Sequence, residues 1–214
     1  MEKLFGNNLM RLVMVLLTIV STNVWSENID SELNSAADKG NFSLVKKILD
    51  SKTIERDALY TAFWIAVKKG NPAIIERFLQ AGVDVNLRAD NSYTPLMQVA
   101  RDGRDQVVEL LLAAGADVNA VSDEKDTALI LASEKDRRKV VALLLAANVD
   151  VNARRNNGMS ALLLAAQEGH QQTIQALIKA KADVNSQLEN GATPLMLAAQ
   201  HGHLGAVHSL IAAN

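Results

Sequence analysis

Apolar positions along this chain fall into short runs that return at a fixed interval. Thr94-Pro-Leu-Met-Gln-Val-Ala100 reappears as Thr193-Pro-Leu-Met-Leu-Ala-Ala199, and Val107-Val-Glu-Leu-Leu-Leu-Ala-Ala-Gly-Ala-Asp117 is the second kind of run. The tripeptide Asp-Val-Asn stands at 84–86, 117–119, 150–152 and 183–185, each copy 33 residues after the last. Thr61, Thr94, Thr127, Ser160 and Thr193 keep the same phase. A period of this length marks a repeat architecture, in which no unit buries its apolar face alone and neighbours must stack.

Each unit predicts two helices and a turn. The Thr or Ser, sometimes followed by Pro, reads as an N-cap with proline at the first helical position, where its missing N–H costs nothing. Paired alanines (Ala36-Ala37, Ala165-Ala166, Ala198-Ala199) let first helices of adjacent units come close. Gly40, Gly70, Gly103, Gly169 and Gly202 end those helices, where a positive φ suits glycine. Leu110-Leu111-Leu112 and Leu143-Leu144-Leu145 fall in second helices and are candidate core. The Asn of each Asp-Val-Asn is expected to bond its own backbone and start the turn.

The copies differ. Ser31-Glu-Leu-Asn-Ser-Ala-Ala37 lies only 30 residues before Thr61 and carries Lys39, Lys46 and Lys47 nearby, which suits a solvated cap. The last unit has Ala206 and Ser209 where the third has Val107 and Leu110, which also reads as a cap. Asp136 replaces a first-helix glycine, while Asn148, Lys181 and Asn214 replace the glycine of Gly82 and Gly115. A lysine in the left-handed region costs up to about 1 kcal/mol, so units four and five are expected to have the least regular junctions.

On these residues the chain resembles the ankyrin-repeat family. That family's unit runs Gly-x-Thr-Pro-Leu-His-x-Ala-Ala, then Gly-His, an aliphatic helix and Gly-Ala-Asp-Val-Asn. The likeness covers about residues 28–214. It implies an all-α solenoid of about six helix–turn–helix repeats with projecting β-turns, at approximate residues 28–56, 57–87, 88–120, 121–153, 154–186 and 187–214. It also implies that a partner protein docks on a concave face made by turn tips and first helices. Mapped onto this chain, the tip residues of that face are Asp90, Asn91, Tyr93, Asp123, Glu124, Asp126, Asn156, Asn157, Met159, Glu189 and Asn190. The helix-end residues are Lys68, Lys69, Arg101, Asp102, Glu134, Lys135, Gln167, Glu168, Gln200 and His201. Tyr93 is the leading anchor, because a tyrosine offers aromatic area at low entropic cost and a hydroxyl besides. The competing reading has it packed over its own turn. Phe63 and Trp64 occupy positions that the family fills with leucine and histidine, and both are read as packed.

Residues 1–26 interrupt the design. Lys3 and Arg11 precede the apolar run Leu12–Val20, and polar Ser21-Thr22-Asn23 follows, the order of a secretory signal with a cut expected after Ser26. Nine helical residues reach roughly 14 Å against a hydrocarbon core of about 30 Å, so a membrane anchor is disfavoured. The expectation is export, to a periplasm first and the extracellular medium second, with 27–214 as the working array. A mature protein still beginning at Met1 would refute it.

Composition sharpens the reading by exclusion. The chain has 214 residues, 49% hydrophobic, with no cysteine, which rules out disulfides, thiolate nucleophiles and Cys-ligated metals. The formal charge is −2, and without Glu2, Lys3 and Arg11 the remaining 20 basic and 23 acidic residues give −3. That balance argues against nucleic acid and anionic membranes as partners. Arg137-Arg138-Lys139 and Arg154-Arg155 read as solvated faces beside acidic neighbours. His170, His201, His203 and His208 are the only histidines, and His170 and His203 stand a full unit apart, too far to share one ion. No phosphate loop, nucleophile elbow or His-Glu-x-x-His motif is present. The function expected is therefore non-catalytic, without cofactor or metal: a monomer that binds or regulates another protein. An inhibitor or immunity-type protein that blocks an enzyme, and a secreted host-directed effector, are the alternatives.

Overall fold

The computed structural model describes residues 29–51 and 54–213, which form helices joined by short turns. The segment read as an export signal, and Asn214, lie outside the described residues. Compact packing divides the chain between Lys69 and Gly70, inside the second expected repeat and between its two helices.

The first unit holds α1 (described part 29–38), α2 (Phe42–Ser51) and α3 (Arg56–Lys69). Gly40 turns the chain at φ 69°, and Asn41 caps α2 by accepting the Leu44 N–H at 3.1 Å. Leu33, Ala36, Ala37, Val45, Ile48, Ala62, Phe63 and Val67 are buried, so Phe63 is structural as expected. Lys69 pairs with Asp38 at 2.8 Å. Thr61 departs from expectation. It lies inside α3, exposed, with its hydroxyl donating to the Asp57 carbonyl at 2.8 Å. Nothing in Arg56-Asp57-Ala58-Leu59-Tyr60 stops a helix, so α3 starts five residues earlier and runs 14 residues. Asp57 in its first turn and Lys68 and Lys69 in its last complement the helix dipole.

The second unit is regular. It opens with α4 (Pro72–Gln80), and then come four helix pairs: α5 (Pro95–Asp102) with α6 (Asp105–Ala113), α7 (Ala128–Glu134) with α8 (Arg138–Ala146), α9 (Ala161–Glu168) with α10 (Gln171–Lys179), and α11 (Pro194–Gln200) with α12 (Leu204–Ile211). First helices pack on first helices in the order α5, α7, α9, α11. Second helices form a parallel row through α4, α6, α8, α10 and α12. The result is two layers, all-α, and among the described residues the one β feature is an isolated bridge between Arg154 and Ser160.

The expected caps form. Thr94, Thr127, Ser160 and Thr193 each accept the N–H three residues on, at 3.2–3.3 Å. In α7 and α9 every residue from Ala128 to Ser133 and from Ala161 to Ala166 is buried, which small side chains between two flanking helices permit. Asp136, Asn148 and Lys181 do adopt the positive φ of the glycines they replace, at 50°, 58° and 69°.

The Asp-Val-Asn motif works differently from expectation. The aspartate makes the local bond, Asp84, Asp117, Asp150 and Asp183 each accepting the N–H two residues on at 2.8–3.0 Å. The asparagine reaches into the next repeat. Asn86 Oδ1 accepts the Asp117 N–H at 2.8 Å, Asn119 that of Asp150 at 2.8 Å, and Asn152 that of Asp183 at 2.9 Å. Asn86 Nδ2 also donates to the Gly115 carbonyl at 3.4 Å. A side chain with both donor and acceptor serves this bridging position, and a carboxylate, which only accepts, serves the local turn. Each bridge is worth about 1 kcal/mol.

The final pair, read as a softened cap, carries large apolar side chains at its surface. Met196, Leu204 and Ile211 are 59%, 70% and 58% exposed, whereas Met97, Ile130 and Leu163, which match Met196 in earlier repeats, are buried.

Candidate binding face

The projecting turns are built alike. Within each tip a tight hairpin closes, with Ala89 N–H on Tyr93 O, Ser122 on Asp126, Arg155 on Met159 and Leu188 on Ala192, at 2.9–3.1 Å. The penultimate residue of each, Ser92, Lys125, Gly158 or Gly191, has a positive φ, and Asn91 beside Ser92 has one as well. Neighbouring tips are stitched together. Asp123 N–H donates to Asn91 O and Asn156 N–H to Glu124 O, both at 3.1 Å. Ser92 Oγ reaches Asp123 at 2.6 Å, and Asn156 Nδ2 reaches the Asp123 carbonyl at 3.0 Å. Arg88 donates to the Val121 carbonyl at 2.9 Å, and Arg154, two repeats on, to the Gln187 carbonyl at 2.7 Å. Backbone and side-chain bonds thus turn separate tips into one strip.

Beside the strip run the C-terminal ends of the first helices, braced from behind. Arg137 Nε donates to the Arg101 carbonyl at 3.0 Å. His170 and His203, at the same repeat position, use Nε2 on the carbonyls of Glu134 and Gln167 at 3.0 and 2.9 Å. A carbonyl only accepts, so Nε2 carries the hydrogen in both rings. This brace explains the glycines beneath it. A Cβ on Gly103 would lie 2.7 Å from Arg137 Cδ, and one on Gly169 2.5 Å from the His203 ring, in addition to the cost of φ 76° and 74°. Asp136, where the glycine is missing, is tied down instead: its carboxylate takes the Thr173 hydroxyl hydrogen at 2.8 Å and lies 3.4 Å from Arg138 Nε. His201 Nδ1 donates to the Leu197 carbonyl at 2.9 Å, and the rings of His201 and His203 stack 6.2 Å apart.

At the centre of the face the fourth and fifth repeats meet in a clamp that the sequence reading missed. Asp126 on its tip and Glu134 at the end of α7 are two carboxylates of the same repeat. Arg155, from the next tip, grips both, Nε on Asp126 Oδ1 and Nη2 on Glu134 Oε2 at 2.5 Å. Arg155 is only 18% exposed, so it is not the solvated charge expected of Arg154-Arg155. Burial pushes the Glu134 carboxyl up, but hydrogen bonds from Lys135 and Arg155 outweigh it and hold the group below its usual range. Burial likewise disfavours the Arg155 cation, and the contacts with Glu134 and Asp126 more than restore it. The signal was a cation downstream of two like charges, 29 and 21 residues away from them.

Tyr93 occupies in the third repeat the position that Asp126 holds in the fourth. It is half-buried, packed on Met97 of its own repeat and on Ala120 and Leu131. The packed reading of Tyr93 thus has its contacts, and the rest of the side chain stays partly exposed. Burial first, and Asp126 second, push its phenol up, against the pull of Arg101 and Arg155, so it stays neutral.

The remaining expected residues sort by exposure. Asp90, Asn91, Arg101, Asp123, Glu124, Lys135, Asn156, Asn157, Glu168, Glu189, Asn190, Gln200 and His201 are exposed. Asp102 is half-buried and accepts from Gln98 at 2.8 Å, and Gln167 is half-buried and donates to Glu168 at 3.0 Å. Met159 must be withdrawn from the face. It is 7% exposed, an apolar side chain turned inward where Asp126 and Tyr93 stay near the surface. Lys68 and Lys69 are exposed in the first unit.

No curated protein matches the chain. A family model described as ankyrin repeats matches three times, over residues 33–122, 63–155 and 129–214. The stacked helix pairs agree with that match, and the chain belongs to the ankyrin-repeat family.

Proposed function

We propose that the chain binds a partner protein through the strip of tips and first-helix ends in residues 88–201. Ankyrin repeats are protein-binding modules, and the family is usually non-catalytic. The observation that carries the reading is that successive tips are hydrogen-bonded into one strip while their outer side chains stay exposed. A strip ordered before binding spares the partner the entropic cost of ordering it. Asp90, Asp123, Glu124 and Glu189 are exposed along it among the exposed cations Arg88, Lys125 and Arg154, whereas Asp126 and Glu134 are offset by Arg155 together with Lys135. The strip is mixed in sign with an acidic lean at Asp90, Asp123, Glu124 and Glu189, so the partner presents basic patches that complement those tips.

Export supports a partner met outside the cytoplasm; its basis is the charged, apolar and polar order of residues 1–26. The test is capture from fractionated cells with the full chain and with a variant carrying Asp90→Lys and Glu189→Lys, both exposed positions. The variant should lose the captured protein while keeping its circular dichroism. Equal recovery by both chains would mean that another surface binds.

A further inference from the structure

We propose that Asn157 and Asn190 are deamidation sites, held in check by their turns and released when those tips open. Each is exposed and is followed by a glycine, Gly158 or Gly191. The chemistry needs the glycine nitrogen to lose its proton and attack the asparagine Cγ. Ammonia leaves, a succinimide ring forms, and water opens it to aspartate or isoaspartate. Asparagine-glycine allows this because no side chain on the second residue blocks the approach.

The folded turns oppose both halves of the step. The Gly158 N–H is held by the Arg155 carbonyl and the Gly191 N–H by the Leu188 carbonyl, each at 2.9 Å. The electrophilic amides are pinned the other way: Asn157 Oδ1 accepts the Met159 N–H and Asn190 Oδ1 the Ala192 N–H, each at 3.1 Å. Reaction therefore waits on local opening.

The two tips are not held equally. The tip of Asn157 begins at Arg155, which is fastened by its side chain to Asp126 and Glu134. The tip of Asn190 begins at Leu188, an apolar residue that cannot make such a pair. Asn190 thus deamidates before Asn157 in the native chain, and each event adds one negative charge to the strip.

Incubation of the full chain in mildly alkaline buffer, followed by peptide mass mapping, tests this. Asn190 should convert faster than Asn157, both should accelerate in denaturant, and the difference between them should vanish there. Glu134→Gln should raise the Asn157 rate about tenfold, the factor given by about 1.4 kcal/mol of lost tip stability, and leave Asn190 unchanged. Arg155→Lys, which keeps the charge but not the two-pronged grip, provides a milder second variant with the same expected order. Equal native rates at the two sites, or an Asn157 rate indifferent to both substitutions, would overturn the proposal.

Discussion

The third and fourth repeats of the second unit set the same two positions to opposite uses. In the third, Tyr93 on the tip rests on apolar Met97, Ala120 and Leu131, and Arg101 stands exposed at the end of α5. In the fourth, Asp126 and Glu134 put two carboxylates in those places, and Arg155 of the fifth repeat has to answer them. Caps, hairpins and asparagine bridges are the same in both. The frame therefore tolerates either an apolar seat or an ion pair at its working surface, and the choice decides which side chains a partner can reach.

The largest effect should come from breaking the ionic solution. Arg155→Ala leaves two partly buried carboxylates facing one another, and we expect a loss of about 2–3 kcal/mol, read as a lower urea midpoint. Acid should mimic it. The Glu134 carboxyl is depressed in the folded chain, so its contribution is whole above the ordinary value of about 4.3 and fades as pH falls through its lower folded value. A Glu134→Gln chain should show a flatter acid limb. An unchanged limb would mean that Glu134 is not held as described.

The apolar solution should yield less. Tyr93→Ala removes a half-buried ring and should cost about 1–2 kcal/mol, while Tyr93→Phe should stay within about 0.5 kcal/mol of the parent. If Phe cost as much as Ala, the hydroxyl and not the seat would be what matters.

The smallest change should be favourable. Ser133 is fully buried in α7 with no partner for its hydroxyl, whereas the matching residues Ala100, Ala166 and Ala199 are alanine. Ser133→Ala should stabilise by about 0.5–1 kcal/mol. Destabilisation in calorimetry would reveal a bond to that hydroxyl.

Much of the frame was legible because it is local and periodic. A Thr or Ser caps the helix three residues away, and the phase of Gly82 and Gly115 marks each left-handed turn even where another residue stands there, so Thr94, Thr127 and Lys181 could be assigned without a structure. Thr61 misled because phase was kept although nothing upstream stopped the helix. The asparagine bridges were missed because donor and acceptor are 31 residues apart, a separation at which the sequence does not distinguish a self-directed side chain from an outstretched one. Arg155 failed for the same reason: its partners lie 29 and 21 residues earlier. Met159 shows that a position's role in the frame does not settle its exposure; an apolar residue there turns inward.

Because each asparagine bridge joins two consecutive copies of one motif, the copies at 117–119 and 150–152 each carry the plug for their successor and the socket for their predecessor. Excising or duplicating 33 residues within 86–183 would rejoin a plug to a socket of the same kind. Such a change keeps the asparagine joints, whereas the grip of Arg155 on Asp126 and Glu134 spans two units and survives only where those two units stay adjacent.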